Sequence, residues 1–176
     1  MLGPSLETDR LLLRPPAAED LDGWSEMMAD EQAARFIGGV QPREVAWRGL
    51  ASMAGSWALM GFGMFSVIEK ASGKWIGRLG PWQPEGWPGT EVGWGLMRSA
   101  WGKGYATEGA TAAIDWAFDN LGWDEVIHCI DQDNLGSIRV AERLGSVRRG
   151  RTQLPPPYEE QSVDVWFQSR EQWRAR

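Results

Sequence analysis

The sequence predicts a mixed α/β domain, with an antiparallel hairpin in its first half and a parallel strand pair in its second. Three observations predict it. Residues 62 to 79 form two strand-like runs, Phe62 to Glu69 and Trp75 to Leu79, around the turn Ala71-Ser72-Gly73-Lys74. Residues 90 to 145 read strand, helix, strand, helix, an order that sets two strands parallel at the centre of a sheet. The length of 176 residues suits one domain around one core, spanning residues 1 to 176.

The elements follow in order. Thr8 to Leu13 is rich in Leu and stops at Pro15-Pro16, as a first strand would. Ala17 to Ala29 carries Leu21, Trp24, Met27 and Met28 at helical spacing. Pro42 to Leu59 is a second helix, with Gly61 after it. The hairpin of residues 62 to 79 comes next, then a loop from Pro81 to Gly89 and a glycine-rich strand from Thr90 to Met97. Ala110, Ala113, Ile114, Ala117, Phe118 and Leu121 mark one face of a helix that Gly122 ends. Val126 to Ile130 is nearly all apolar, as in a strand covered on both faces. A short helix from Leu135 to Leu144 and a strand from Ser162 to Gln168 complete the chain.

Composition narrows the function. The apolar share of 43% and the charged share of 24% are those of an ordinary globular protein. No apolar run approaches the roughly 18 residues that cross a bilayer, so no membrane partner is expected. The opening MLGPSLETDRLLLRPP lacks the basic start and apolar core of a secretory signal. The lone Cys129 can form no internal disulfide, which favours a cytoplasmic address. A net charge of -6 argues against a nucleic-acid partner, because such binders neutralise phosphates with Lys and Arg. The 12 Trp are expected to fill core gaps and line a cleft.

Trp101-Gly102-Lys103-Gly104-Tyr105-Ala106-Thr107-Glu108 lies between a predicted strand and a predicted helix. Glycines there let the main chain turn tightly and approach a ligand. The first helical turn leaves N–H groups without internal partners at the positive end of the helix dipole, which suits a pyrophosphate. A plain tight turn would look the same in isolation. A P-loop would need Gly-x4-Gly-Lys-Ser/Thr, which is absent, and a dinucleotide fingerprint would need glycine where Thr107 stands.

The string WGKGYATEG resembles the acetyl-CoA loop of GNAT acetyltransferases, Gln/Arg-x-x-Gly-x-Gly/Ala, with Trp101 at the Gln/Arg position. That replacement is typical of the branch similar to ribosomal-protein N-terminal acetyltransferases. LETDRLLLRPPAAEDL, GKWIGRLGPW, TEVGWGLM, DNLGSIRVAERLGS and SREQW follow the family's order. The resemblance implies a mixed, twisted sheet of about six or seven strands with helices on both faces, splayed at a central pair. It implies acetyl-CoA as co-substrate and an amine as acceptor. It places Leu96, Met97 and Arg98 along the pantetheine arm, with an N–H near Met97 facing the thioester carbonyl. It places Gly102, Lys103, Gly104, Tyr105, Ala106 and Thr107 at the diphosphate.

Glu91, Asn134 and Ser137 take further roles from the same resemblance. Glu91 is the general-base candidate, acting through water. It shares strand parity with Gly93 and Gly95, which leave room beside it; a solvated strand-end glutamate is the alternative. Glu108, in the first helical turn, reads as structural. Asn134 caps the short helix and could also meet pantetheine. Ser137, one turn in, is the candidate proton donor to the thiolate, with Tyr105 and Tyr158 as reserves. Arg139 and Arg143 either meet a coenzyme phosphate or are solvated. His128 and Cys129 read as core, and a single histidine and cysteine assemble neither a metal site nor a Ser-His-Asp relay. Trp82, Trp87 and Tyr158 are expected to line the acceptor side. A non-catalytic acyl-CoA-binding module of the same fold is the rival reading. A protein N-terminus, an amino acid, a polyamine and an aminoglycoside all stay open as acceptors, and a homodimer is one of the open oligomeric states.

Overall fold

The computed structural model describes residues 2–176. Its strands are β1 (Leu6–Glu7), β2 (Leu11–Arg14), β3 (Phe65–Glu69), β4 (Lys74–Trp82), β5 (Glu91–Leu96), β6 (Glu125–Ile130), β7 (Val147–Gln153) and β8 (Ser162–Ser169). Its helices are α1 (Leu21–Ala29), α2 (Glu31–Ala34), α3 (Arg43–Met60), α4 (Tyr105–Asn120), α5 (Leu135–Arg143) and α6 (Arg170–Arg174). All the strands join one sheet in the order β1-β2-β3-β4-β5-β6-β8-β7. Neighbours run antiparallel except β5 and β6, which are parallel.

The sheet has eight strands, and two of them have no counterpart among the strands read from the sequence. β1 has two residues, too few to show a period. β7 (VRRGRTQ) is polar because it is an outer edge, paired only with β8. β4 also runs through Pro81 to Trp82, where a loop is expected. Pro81 is tolerated because β3 has ended by then: its pairing with β4 stops at Phe65 and Leu79.

Helices cover both faces. Leu79 lies directly under Gly109 of α4, and a side chain at Gly109 would collide with it. The next residue back along β4, Arg78, reaches the Trp24 ring of α1 at 5.5 Å. Successive strand residues face opposite ways, so α4 and α1 lie on opposite faces. One core joins α4 to the sheet through Leu11, Leu13, Val67, Leu79, Val92 and Ile114. A second joins α1 to α3 through Trp24, Met27, Leu50 and Met53. Trp24, Trp57, Trp123 and Trp173 are buried, whereas Trp47 and Trp101 are exposed.

The parallel pair is splayed. β5 and β6 are in register only at Glu91 and Ile127, where the Ile127 N–H donates to the Thr90 carbonyl at 3.0 Å. Past that point the β5 carbonyls meet side chains. His128 Nδ1 lies 2.6 Å from the Val92 oxygen, and Trp101 Nε1 donates to the Leu96 oxygen at 2.9 Å. The gap opens toward the N-termini of α4 and α5. No helix among the described residues is long and apolar enough to cross a membrane.

Candidate active site

Gly102 and Gly104 take left-handed conformations, with φ of 73° and 81°. Gly104 caps α4, and the first returning bond of that helix runs from the Glu108 N–H to the Gly104 carbonyl at 3.0 Å. The N–H groups of Tyr105, Ala106 and Thr107 precede that bond and have no partner within the helix. A Cβ at Gly102 would meet nothing within 4 Å. Thr107 Oγ1 is buried with no hydrogen-bond partner. The loop is therefore an open cradle of donors, suited to a diphosphate.

Glu108 anchors this cradle. It accepts from Thr8 Oγ1, from the Arg10 N–H at 2.9 Å and from Arg10 Nε at 2.7 Å, while Arg10 Nη1 donates to the Lys103 carbonyl at 2.9 Å. Its role is structural. Tyr105 is occupied as well: its hydroxyl donates to Glu69 Oε1 at 2.6 Å, and that bond pushes the phenol's pKa upward.

A cleft of about 560 Å³ runs from this loop along the β5 edge. Leu96, Gly102, Gly104, Tyr105, Ala106, Thr107, Asn134, Ser137 and Arg143 all line it. Three of the coenzyme candidates do not. The Met97 N–H itself donates to the Ile76 carbonyl at 2.8 Å inside the sheet, so an N–H near Met97 that faces the gap belongs to a neighbouring residue. Arg98 turns away to pair with Asp30 at 3.0 Å. Lys103 projects from the loop, its Nζ 5.9 Å from the Tyr105 ring centre. A residue in an antiparallel pair turns both main-chain groups toward one neighbour. With Met97 facing β4, the N–H groups of Leu96 and Trp94 face the gap.

A second cavity, of about 340 Å³, meets the first at Trp94, Asn134 and Ser137. Glu91 lies in its wall and is buried. Its Oε1 accepts from the Cys129 N–H at 2.9 Å and its Oε2 from the indole of Trp87. Burial raises the Glu91 pKa to about 7, against the lowering pull of those two donors. The solvated alternative for Glu91 is thus excluded. Trp82, Trp87 and Tyr158 form one aromatic wall of the same cavity, with successive centroids 6.4 Å apart.

Asn134 accepts from the Ser137 N–H at 3.2 Å, so it caps α5. Ser137 Oγ accepts from Trp94 Nε1 at 3.1 Å, which leaves the hydroxyl hydrogen free to donate elsewhere. Neither Arg139 nor Arg143, both exposed on α5, makes an ion pair among the described residues. His128 is buried, its Nδ1 donating to Val92 and its Nε2 3.1 Å from Ser146 Oγ. Burial lowers its pKa to about 4, so it stays neutral. The Cys129 thiol is pushed upward by burial and by Glu91. Among the described residues no group of three His, Cys, Asp or Glu could hold a metal ion.

Sequence reasoning missed three contributors. Trp94 positions Ser137 across 43 residues of chain. The Cys129 contribution is its main-chain N–H, which no side-chain pattern reveals. Arg78 lines the second cavity from the neighbouring strand. Its place opposite Gly95 would have been legible once the hairpin register was known.

The comparisons agree with this geometry. Residues 10–147 match the model of the acetyltransferase (GNAT) domain. "Uncharacterized protein YkkB" of Bacillus subtilis is 36% identical over 87 residues, which are 48% of this chain and 51% of that one. An uncharacterized N-acetyltransferase p20 of Bacillus licheniformis is 28% identical over 83% of this chain and 84% of its own. The crystal structure of an acetyltransferase from Agrobacterium tumefaciens superposes with a TM-score of 0.83 at 29% identity, over 95% of each chain. A glycine cradle at a helix N-terminus, a strand edge opened beside it, and a match covering most of the chain lead to one conclusion: the chain belongs to the GNAT acetyltransferase family and is an acetyl-CoA-dependent N-acetyltransferase.

Proposed function

We propose that residues 1 to 176 act as one domain that acetylates a primary amine by direct attack, with both substrates bound together. The observation that carries this reading is the meeting of two cavities at Ser137, one under the glycine cradle and one holding Glu91. Acetyl-CoA supplies the acetyl group as a thioester. The N–H groups of Tyr105, Ala106 and Thr107, with Thr107 Oγ1, hold the diphosphate, and Arg139 and Arg143 lie on the same cleft to balance its charge. The Leu96 and Trp94 N–H groups pair with the pantetheine arm as a neighbouring strand would, and one of them polarises the carbonyl.

Glu91 accepts the amine's proton through water. A pKa of about 7 suits that task, because a base works best near the ambient pH. Ser137 gives its hydroxyl proton to the departing sulfur and regains one from water. The thiolate, with a free pKa of about 8.5, leaves more readily when protonated. A single free cysteine fits action in the reducing cytoplasm.

A screen of amines that reads free thiol from acetyl-CoA tests the reading. Thiol release with a primary amine, absent without the protein, is the expected result. Tight binding of acetyl-CoA with no release across the panel would instead make the chain a binding module.

A further inference from the structure

Arg78 is a cation without a counter-ion. It lines the acceptor cavity from β4, opposite Gly95 on β5. Its Nε is closed off from solvent and has no hydrogen-bond partner. Its single hydrogen bond among the described residues runs from Nη1 to the Met64 thioether sulfur, a weak acceptor, at 2.7 Å. No carboxylate among the described residues lies within ion-pair distance of it. The Trp24 ring, 5.5 Å from its Cζ, offers only a cation–π contact. Arg78 is partly buried, so its outer nitrogens face the cavity while Nε is shut away, and an unpaired charge at a cavity wall is a place where an anionic ligand gains a partner.

The surroundings define that ligand. Arg78, Gly93, Gly95 and Glu91 share one face of the sheet, since Arg78 pairs with Gly95 and Glu91 has the parity of both glycines. A Cβ at Gly95 would lie 3.9 Å from Arg78 Cζ, and one at Gly93 would lie 3.5 Å from Glu91 Oε1. The two charged groups therefore stand over glycines one two-residue strand step apart, about 7 Å. The missing side chains leave the space between them open. Burial also acts against the Arg78 charge, and Glu91 and Tyr158 are the groups across the cavity that oppose this effect.

We propose that the acceptor is a small amine carrying a carboxylate, of the amino acid class, and that Arg78 docks the carboxylate while the amine faces Glu91. This rests on the acetyl-transfer reading above and selects among the acceptors it leaves open. Arg78 is the specificity residue. With Nε shut away and one Nη1 hydrogen on Met64, the Arg78 Nη2 donates to the carboxylate, and the second Nη1 hydrogen is the one other donor on the outer end of the guanidinium. The aromatic wall of Trp82, Trp87 and Tyr158 takes the rest of the molecule. A protein N-terminus, a polyamine and an aminoglycoside all lack the carboxylate next to the amine.

The test compares free L-amino acids with amines of the same side chain lacking the carboxylate, such as phenylalanine with phenethylamine. Both are assayed by thiol release and by calorimetric binding to the protein. The expected kcat/KM preference for the acid is on the order of 100-fold or more, as for sites built around a polar group of the substrate. In Arg78→Met the preference falls to about one, and Arg78→Lys restores part of it. A loss of fold would lower both substrates together and leave their ratio intact. Equal use of acid and amine by the native protein overturns the proposal, as does an unchanged ratio in Arg78→Met. So does the absence of both turnover and binding for every amino acid. If acetyl-CoA itself is not bound, the transfer reading fails instead, and amino acid binding to the protein alone still reads the Arg78 site.

Discussion

Glu91 is a carboxyl group held out of water by the residues it must work beside. Burial favours its neutral form and two N–H donors favour its charged form, and burial prevails, raising its pKa to about 7. A base must be deprotonated to accept a proton. With a weakly basic amine that stays uncharged across the range, kcat/KM should rise with pH through a midpoint near 7. Glu91→Gln should lose that limb and on the order of 100-fold in rate. A profile centred near 4.5 would mean that burial does not raise Glu91, and a limb that survives in Glu91→Gln would mean that another group titrates. In the proposed mechanism Ser137 acts at the other end of the reaction. Its Oγ is oriented by Trp94 Nε1, and its N–H is held by Asn134. Ser137→Ala should lower kcat by roughly 10-fold to 100-fold while leaving the acetyl-CoA Kd unchanged. A weakened Kd with normal kcat would assign Ser137 to binding instead.

The loop before α4 works as a unit of main chain. Its two glycines adopt left-handed conformations that turn the following N–H groups outward, and the Thr8, Arg10 and Glu108 contacts clamp the N-terminal strands against it. Gly104→Glu places a Cβ at φ of 81° and a negative charge at the proposed diphosphate site. The backbone strain should cost about 1 kcal/mol of stability. Acetyl-CoA binding, followed by calorimetry, should be abolished. Native-like affinity would show that the diphosphate lies elsewhere. The loop was legible in the sequence because turn and cap chemistry is local: glycine spacing, Thr107 and the following apolar helix face are neighbours in the chain. β7 was not legible, because an edge strand carries no buried alternation. Nor was the end of β4, where Pro81 is acceptable only because β3 has stopped.

At the scale of the whole molecule, the splayed sheet is the device proposed to bind the coenzyme. β5 is hydrogen-bonded fully to β4 but meets β6 only at Glu91 and Ile127. The Trp94 and Leu96 amides therefore lack a strand partner while the Met97 amide has one. Hydrogen exchange should be fast at residues 94 and 96 and slow at 97, and acetyl-CoA should slow the first two by at least about tenfold. No change at these amides on binding would remove the added-strand mode. What the sequence determined by itself was what local chemistry encodes: the glycine cradle, the Asn134 cap, the parity of Glu91 with two glycines, and the periodicity of the main helices. What only the tertiary structure decided was which distant groups meet. It set Trp94 on Ser137, the Cys129 N–H on Glu91, the Met97 N–H inside the sheet, and an unpaired Arg78 across from Glu91. Burial and pairing depend on which strands become neighbours, and that is a property of the assembled sheet rather than of any one segment.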